Sequence, residues 1–149
     1  MIVVECRNIV VGKDHMFCID VTSSQCRGLW LCIYHSPNAS DAEFLDRFEN
    51  VEELLSLNKP MKITGDFNIN IHDSNPVITY RARLKRFEYN TSMKQLVKSF
   101  TRVTATSKTI VDLVFSDTTN LIVNVYDDEI VADHKMILIS KRQDRKNYI

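Results

Sequence analysis

Met61-Lys62-Ile63-Thr64-Gly65-Asp66-Phe67-Asn68-Ile69-Asn70 is the stretch that decides how this chain is read. Met61–Thr64 predicts a short strand, set off from what precedes it by Asn58-Lys59-Pro60. Glycine at 65 permits a sharp exit from a sheet, because it lacks the Cβ that closes off most backbone angles. Asp66 and Asn68 stand two apart and project to one side of an extended backbone. An acid and an amide so placed suit the positioning of a water and a phosphoryl oxygen. The same residues also describe an Asx turn, in which the side chains bond their own backbone. Both readings stand at this point.

Upstream, Ser40 and Glu43 form a capping-box pattern. Phe44, Phe48, Val51 and Leu55 follow at i, i+4, i+7 and i+11, predicting an amphipathic helix to about Leu57. Leu29–Tyr34 is a nearly continuous apolar strand, consistent with burial on both faces and ended by His35-Ser36-Pro37-Asn38. Ile2–Cys6 and Met16–Val21 read as strands separated by the polar Gly12-Lys13-Asp14-His15 turn, with a second polar turn at Ser23–Gly28. Downstream, Tyr80, Leu84 and Phe87 predict a second helix. Ser92 and Gln95 predict the cap of a third, with Met93, Leu96, Val97 and Phe100 as its stripe. Ile110–Phe115, Leu121–Tyr126 and Lys135–Ile139 read as strands from their β-branched content. The expectation is an α/β protein with a domain over residues 1–140 and a frayed polar tail over 141–149.

The 149 residues suit one domain, and 44% hydrophobic with 26% charged residues is ordinary for a globular chain. Nineteen basic side chains cancel nineteen acidic ones, so overall charge does not point to nucleic acid. Locally the balance is uneven. Arg81, Arg83, Lys85, Arg86, Lys94, Lys98 and Arg102 face only Glu88 over residues 81–102, a block that suits a phosphate backbone or, equally, a solvated helix face. No apolar run approaches the ~18 residues of a membrane span, and Met1–Arg7 lacks the charged and apolar regions of a signal peptide. Cys6, Cys18, Cys26 and Cys32 show no zinc spacing and are expected as reduced thiols. The expected location is intracellular, nuclear or cytoplasmic.

Two further clusters can carry chemistry. Asp133-His134 stands at the mouth of the last strand, where a carboxylate and an imidazole can serve as metal ligand and acid/base, or as a solvated pair. Asp112 lies inside Ile110-Val111-Asp112-Leu113-Val114-Phe115. Its charge must be paired unless it faces water, and a histidine is the natural partner.

In order, these stretches resemble the endonuclease/exonuclease/phosphatase family. The residues that carry the resemblance are Tyr34-His35-Ser36-Pro37, Ile63-Thr64-Gly65-Asp66-Phe67-Asn68-Ile69-Asn70, Thr101-Arg102-Val103-Thr104, Ser107-Lys108-Thr109-Ile110-Val111-Asp112-Leu113-Val114-Phe115 and Ala132-Asp133-His134. They are most similar to the reverse transcriptase-associated endonuclease domain of non-LTR (LINE-type) retrotransposons. The resemblance implies a two-sheet sandwich flanked by helices, deoxyribonuclease I-like, with Mg²⁺ (Mn²⁺ as a substitute) assisting hydrolysis of a DNA phosphodiester. It assigns Tyr34 and His134 to the scissile phosphate, Asp66 to the attacking water and Asn68 to holding that phosphate and Asp66. Asp112 would hydrogen-bond His134, and Asp133 would belong to the metal site. Ser107, with Thr109 competing, matches the serine of the family's Ser-x-x-Asp stretch. Arg81, Arg83, Arg86 and Arg102, from the basic block, join these two as candidate nucleic-acid contacts.

Three departures accompany the match. The arginine that usually follows the tyrosine is His35, the usual Ser-Asp-His is Ala132-Asp133-His134, and the family's first strands, with their metal-binding glutamate, have no counterpart. The expectation is therefore a sandwich incomplete on its N-terminal side, with weak metal binding and weak or absent nuclease activity. An alternative is a catalytically dead nucleic-acid-binding or protein-interaction module. The incomplete sheet is expected to be covered by a second copy or another chain.

Overall fold

A computed structural model describes residues 4–11, 13–22, 27–53, 61–72 and 78–142. Strands β1 (Val4–Val11), β2 (Asp14–Val21), β3 (Gly28–Tyr34), β4 (Met61–Asp66), β5 (Lys94–Gln95) and β8 (Asp112–Ser116) form a six-stranded sheet in the order β1-β2-β3-β4-β8-β5. Strands β6 (Arg102–Val103), β7 (Lys108–Thr109), β9 (Leu121–Val131) and β10 (His134–Lys141) form a second sheet, β7-β6-β10-β9. Helices α1 (Asp41–Glu49) and α2 (Ile78–Thr91) complete the fold. Strands β3 and β4 are parallel, as a helical crossover between them requires. The remaining strand pairs are antiparallel.

Alternation along the strands divides the first sheet into two faces. Phe115 contacts Phe48 of α1 and Phe87 of α2, so the residues paired in its row, Ile63 and Leu31, also face the helices. Phe44, Phe48, Phe67, Phe87 and Phe115 fill that layer, each no more than 1% exposed. The opposite face meets the second sheet, whose Val123, Val125, Ile137 and Ile139 are partly buried against the core. The result is a two-sheet sandwich with its helices on one side.

Ser40 caps α1 as expected, its Oγ accepting from the Glu43 amide at 3.3 Å. Phe44, Phe48 and Val51 are buried as the periodicity predicts, while Leu55 lies outside the described residues. The helix expected from Ser92 does not form. Ser92 takes φ +58°, and Gln95 instead binds the backbone of Val97 through both its amide oxygen (2.5 Å) and its amide nitrogen (2.8 Å). Those bonds satisfy groups a helix would have paired, and β5 adds to β8 at the sheet edge. Met93 and Val97 are buried all the same, so an apolar spacing compatible with a helix served an irregular segment. Cys18 and Cys32 are half-buried. No described helix is long and apolar enough to cross a membrane. Of the expected tail, residues 143–149 lie outside the described residues.

Candidate active site

Strand register assembles the site. Tyr34 pairs with Asp66, and Asp66 pairs with Asp112, so one row across β3, β4 and β8 carries all three. Residues paired in a row share a face, and for this row it is the face toward the second sheet. From that sheet His134, the first residue of β10, places Nδ1 2.9 Å from Asp112 Oδ2. Its Nε2 stands 3.9 Å from Asp66 Oδ2 and 3.7 Å from Asp133 Oδ1. Ligand atoms of Asp66, Asp112 and His134 all lie within 4.8 Å of one another.

The local reason for each placement is steric or hydrogen-bonded. Gly65 is still inside β4, at φ +150°, and a Cβ there would fall 1.9 Å from the carbonyl oxygen of Ile33. The glycine therefore permits close pairing of β3 with β4 immediately before the acid, rather than the expected sharp exit. Asn68 takes the left-handed φ of +48°, which asparagine tolerates better than most residues. Its amide N–H donates to Asp66 Oδ1 at 2.9 Å, so the Asx turn is real, and Oδ2 of the same carboxylate faces His134. The side-chain amide of Asn68 donates to the His35 carbonyl at 2.6 Å.

Thr101, fully buried, was missed as a site residue. Its Oγ accepts the amides of Val111 (3.2 Å) and Asp112 (3.1 Å), while its carbonyl accepts the Lys135 amide at 2.7 Å. One residue thus ties the strand of Asp112 to the strand of His134. A threonine before a strand carries no mark of such a role, because the two partners are brought to it only by folding.

Electrostatics divide the carboxylates. Burial, reinforced by the Asp112 charge, raises the Asp66 carboxyl above its ordinary range despite the Asn68 amide that opposes the shift. Asp133 is held low by its hydrogen bond from Arg102 Nε, at 2.5 Å.

The candidate phosphate contacts scatter. Arg83 binds Glu49 (2.9 Å) and Asp46 (2.7 Å) on α1, and Arg86 binds Glu49 at 3.1 Å. Arg81 donates to the His72 carbonyl. Ser107 closes a turn with Thr104 at 2.8 Å, and Thr109 pairs with Arg102 across β7 and β6. Tyr34 is 44% exposed, with its ring 6.1 Å from that of His15.

Sequence comparison finds no matching family profile and no significantly similar curated protein. Structure comparison is decisive. The endonuclease domain of TRAS1, a telomere-specific non-LTR retrotransposon, superposes with a TM-score of 0.68 over 93% of this chain, at 15% identity. The chain has the deoxyribonuclease I-like fold. An endonuclease/exonuclease/phosphatase family protein from Bacteroides thetaiotaomicron also matches over 86% of the chain, with a TM-score of 0.51 and 12% identity. The deoxyribonuclease I-like portion present here spans 68% of the TRAS1 domain and 55% of the bacterial chain.

Proposed function

We propose that this chain carries the phosphodiesterase site of a DNA endonuclease of retrotransposon type. The observation that carries the reading is the His134–Asp112 pair, whose free Nε2 side opens onto Asp66. The Asp112 carboxylate accepts from Nδ1, which fixes the tautomer and leaves Nε2 to face a substrate oxygen. In the imidazolium form the Nε2–H donates to that oxygen and stabilises charge developing on the phosphoryl group. Asp66 Oδ2, whose raised proton affinity suits a base, takes the proton of the attacking water. Tyr34, on the same row and exposed, reaches the phosphate from the β3 side.

The residues fit a hard divalent cation. Asp66 and Asp112 bring two carboxylates beside one imidazole, and burial, with the Asp112 charge adding to it, raises the Asp66 carboxyl. Asp66 and Asp112 would hold Mg²⁺ or Mn²⁺, with Asp133 close by; bound there, the ion would supply Lewis-acid stabilisation of phosphoryl charge. The chain spans 68% of the TRAS1 domain, and the family resemblance assigns none of its residues to the metal-binding glutamate. The proposed activity of this chain by itself is accordingly weak.

The reading includes a protein partner. Tyr126 and Met136 face each other across β9 and β10, and with Leu138 and Ile122 they expose large apolar side chains on the outer sheet face. A second copy or another chain would cover that face; light scattering that shows a concentration-independent monomer would remove the second copy.

The main test is nicking of supercoiled plasmid in Mg²⁺ and in Mn²⁺. Wild type is expected to nick slowly, and His134→Ala and Asp66→Asn to lose the activity. Cleavage that neither substitution changes would refute the assignment.

A further inference from the structure

A second histidine between two carboxylates lies behind the site, on the helix face of the same sheet. His35 is fully buried, and Asp14 is 2% exposed. His35 Nδ1 stands 2.8 Å from Asp14 Oδ1, and Nε2 stands 2.8 Å from Asp41 Oδ1. Asp14 also accepts the Ser36 amide at 3.0 Å and an ion-paired hydrogen bond from Arg47. The ring stacks on Phe44, with centroids 4.2 Å apart. Each ring nitrogen thus meets a carboxylate, and the imidazole is pinned at both ends.

The backbone of this pinned residue grips the catalytic loop from behind. The His35 amide donates to the Asp66 carbonyl at 2.8 Å, and the His35 carbonyl accepts the Asn68 side chain at 2.6 Å. Asn68 in turn holds Asp66 Oδ1. Both ends of the Asp66–Asn68 segment are therefore fastened to one residue, whose side chain is anchored to β2 by Asp14 and to α1 by Asp41.

We propose that His35, clamped by Asp14 and Asp41, is a positioning residue that holds Asp66 and Asn68 in the geometry the site requires. The proposal rests on the phosphodiesterase reading for its catalytic consequence, but not for its structural one. A carboxylate that must face both a water and His134 tolerates little displacement, since reacting groups lose rate steeply when misplaced by about 1 Å. The clamp supplies rigidity at a loop whose φ of +48° at Asn68 is not self-supporting.

Amide hydrogen exchange on the whole chain tests the clamp without relying on activity. Glutamine at 35 can donate only through one end, so His35→Gln releases one jaw; Asp41→Ala releases the other from a partly exposed position. Exchange of the Phe67 and Asn68 amides is expected to rise about tenfold in His35→Gln and severalfold in Asp41→Ala, with the β9–β10 hairpin unchanged. Should His35→Gln fail to fold, Asp41→Ala decides alone. Unchanged protection at 67 and 68, or a rise shared equally by β9–β10, overturns the proposal. Plasmid nicking by the same variants is expected to fall about tenfold in kcat with KM preserved. If wild type does not nick at all, the phosphodiesterase reading fails and the exchange result still judges the clamp.

Discussion

Two Asp–His–Asp groupings sit on opposite faces of one sheet, and they differ in closure. Behind the sheet, His35 meets Asp14 and Asp41 at 2.8 Å each, and Arg47 also pairs with Asp14. Between the sheets, His134 meets Asp112 at 2.9 Å but stands 3.9 Å from Asp66, and both carboxylates are partly exposed. In the first grouping both imidazole nitrogens meet a carboxylate at hydrogen-bond distance. The second has one carboxylate with raised proton affinity and one imidazole nitrogen without a close protein partner at hydrogen-bond distance. Similar side chains thus make a buried fastening where each imidazole nitrogen is held, and a candidate reaction centre where one is not.

The largest effects should separate the two by readout. His134→Ala is expected to cut plasmid nicking by roughly 10²–10⁴-fold, with little change in the thermal midpoint. Asp14→Ala should do the opposite in kind, leaving the buried His35 and the half-buried Arg47 without their shared partner. The expected loss is about 3–5 kcal/mol, the usual result of breaking a buried ion pair on one side; a denaturant melt measures it. Equal stability losses in the two variants would erase the distinction.

A pH series sharpens the comparison. Burial pushes the Asp14 carboxyl up, but the hydrogen bonds from His35 and the Ser36 amide outweigh it, and the group ends below its ordinary value. A depressed folded value gives stability that is present above the unfolded value and lost as pH falls through the folded one. The gap between wild type and Asp14→Asn should therefore be full at neutral pH and close as acid is added below the ordinary carboxylate range.

Asp66 has the opposite sign. Its raised carboxyl makes the native state bind protons more readily, so ionising it costs stability as pH rises from the unfolded value through the folded one. Asp66→Asn should raise the thermal midpoint by a few degrees, corresponding to about 1 kcal/mol, at neutral pH and not in acid. The smallest effect concerns the turn that delivers His134. Ala132 sits at φ +59° in the two-residue link between β9 and β10, a strained setting for alanine. Ala132→Gly is expected to stabilise by about 0.5–1 kcal/mol, readable in urea, with nicking unaffected.

Much of this was legible in the residues. The capping serine, the Phe44–Phe48–Val51 stripe and the strand before Asp66 follow from period and local chemistry, because those signals act within a few residues. The order of the short motifs pointed to a two-sheet sandwich, which the structure shows. The segment after Ser92 misled, since a stripe of apolar residues records burial and not the backbone that achieves it. Charge along the chain says nothing of partners, and Arg83 and Arg86 meet the acids of α1 some thirty-seven residues upstream.

By itself the amino-acid sequence determined which side chains could bear charge or bind a phosphate, and where local elements begin. Tertiary structure alone decided that Tyr34, Asp66 and Asp112 share a row, that Thr101 joins the two sheets, and that His35 is buried between Asp14 and Asp41 while His134 lies partly exposed beside Asp112 and Asp66. The physical reason is range. Propensity and capping act between near neighbours, whereas strand register and burial, which set each charge's surroundings, exist only once distant segments pack.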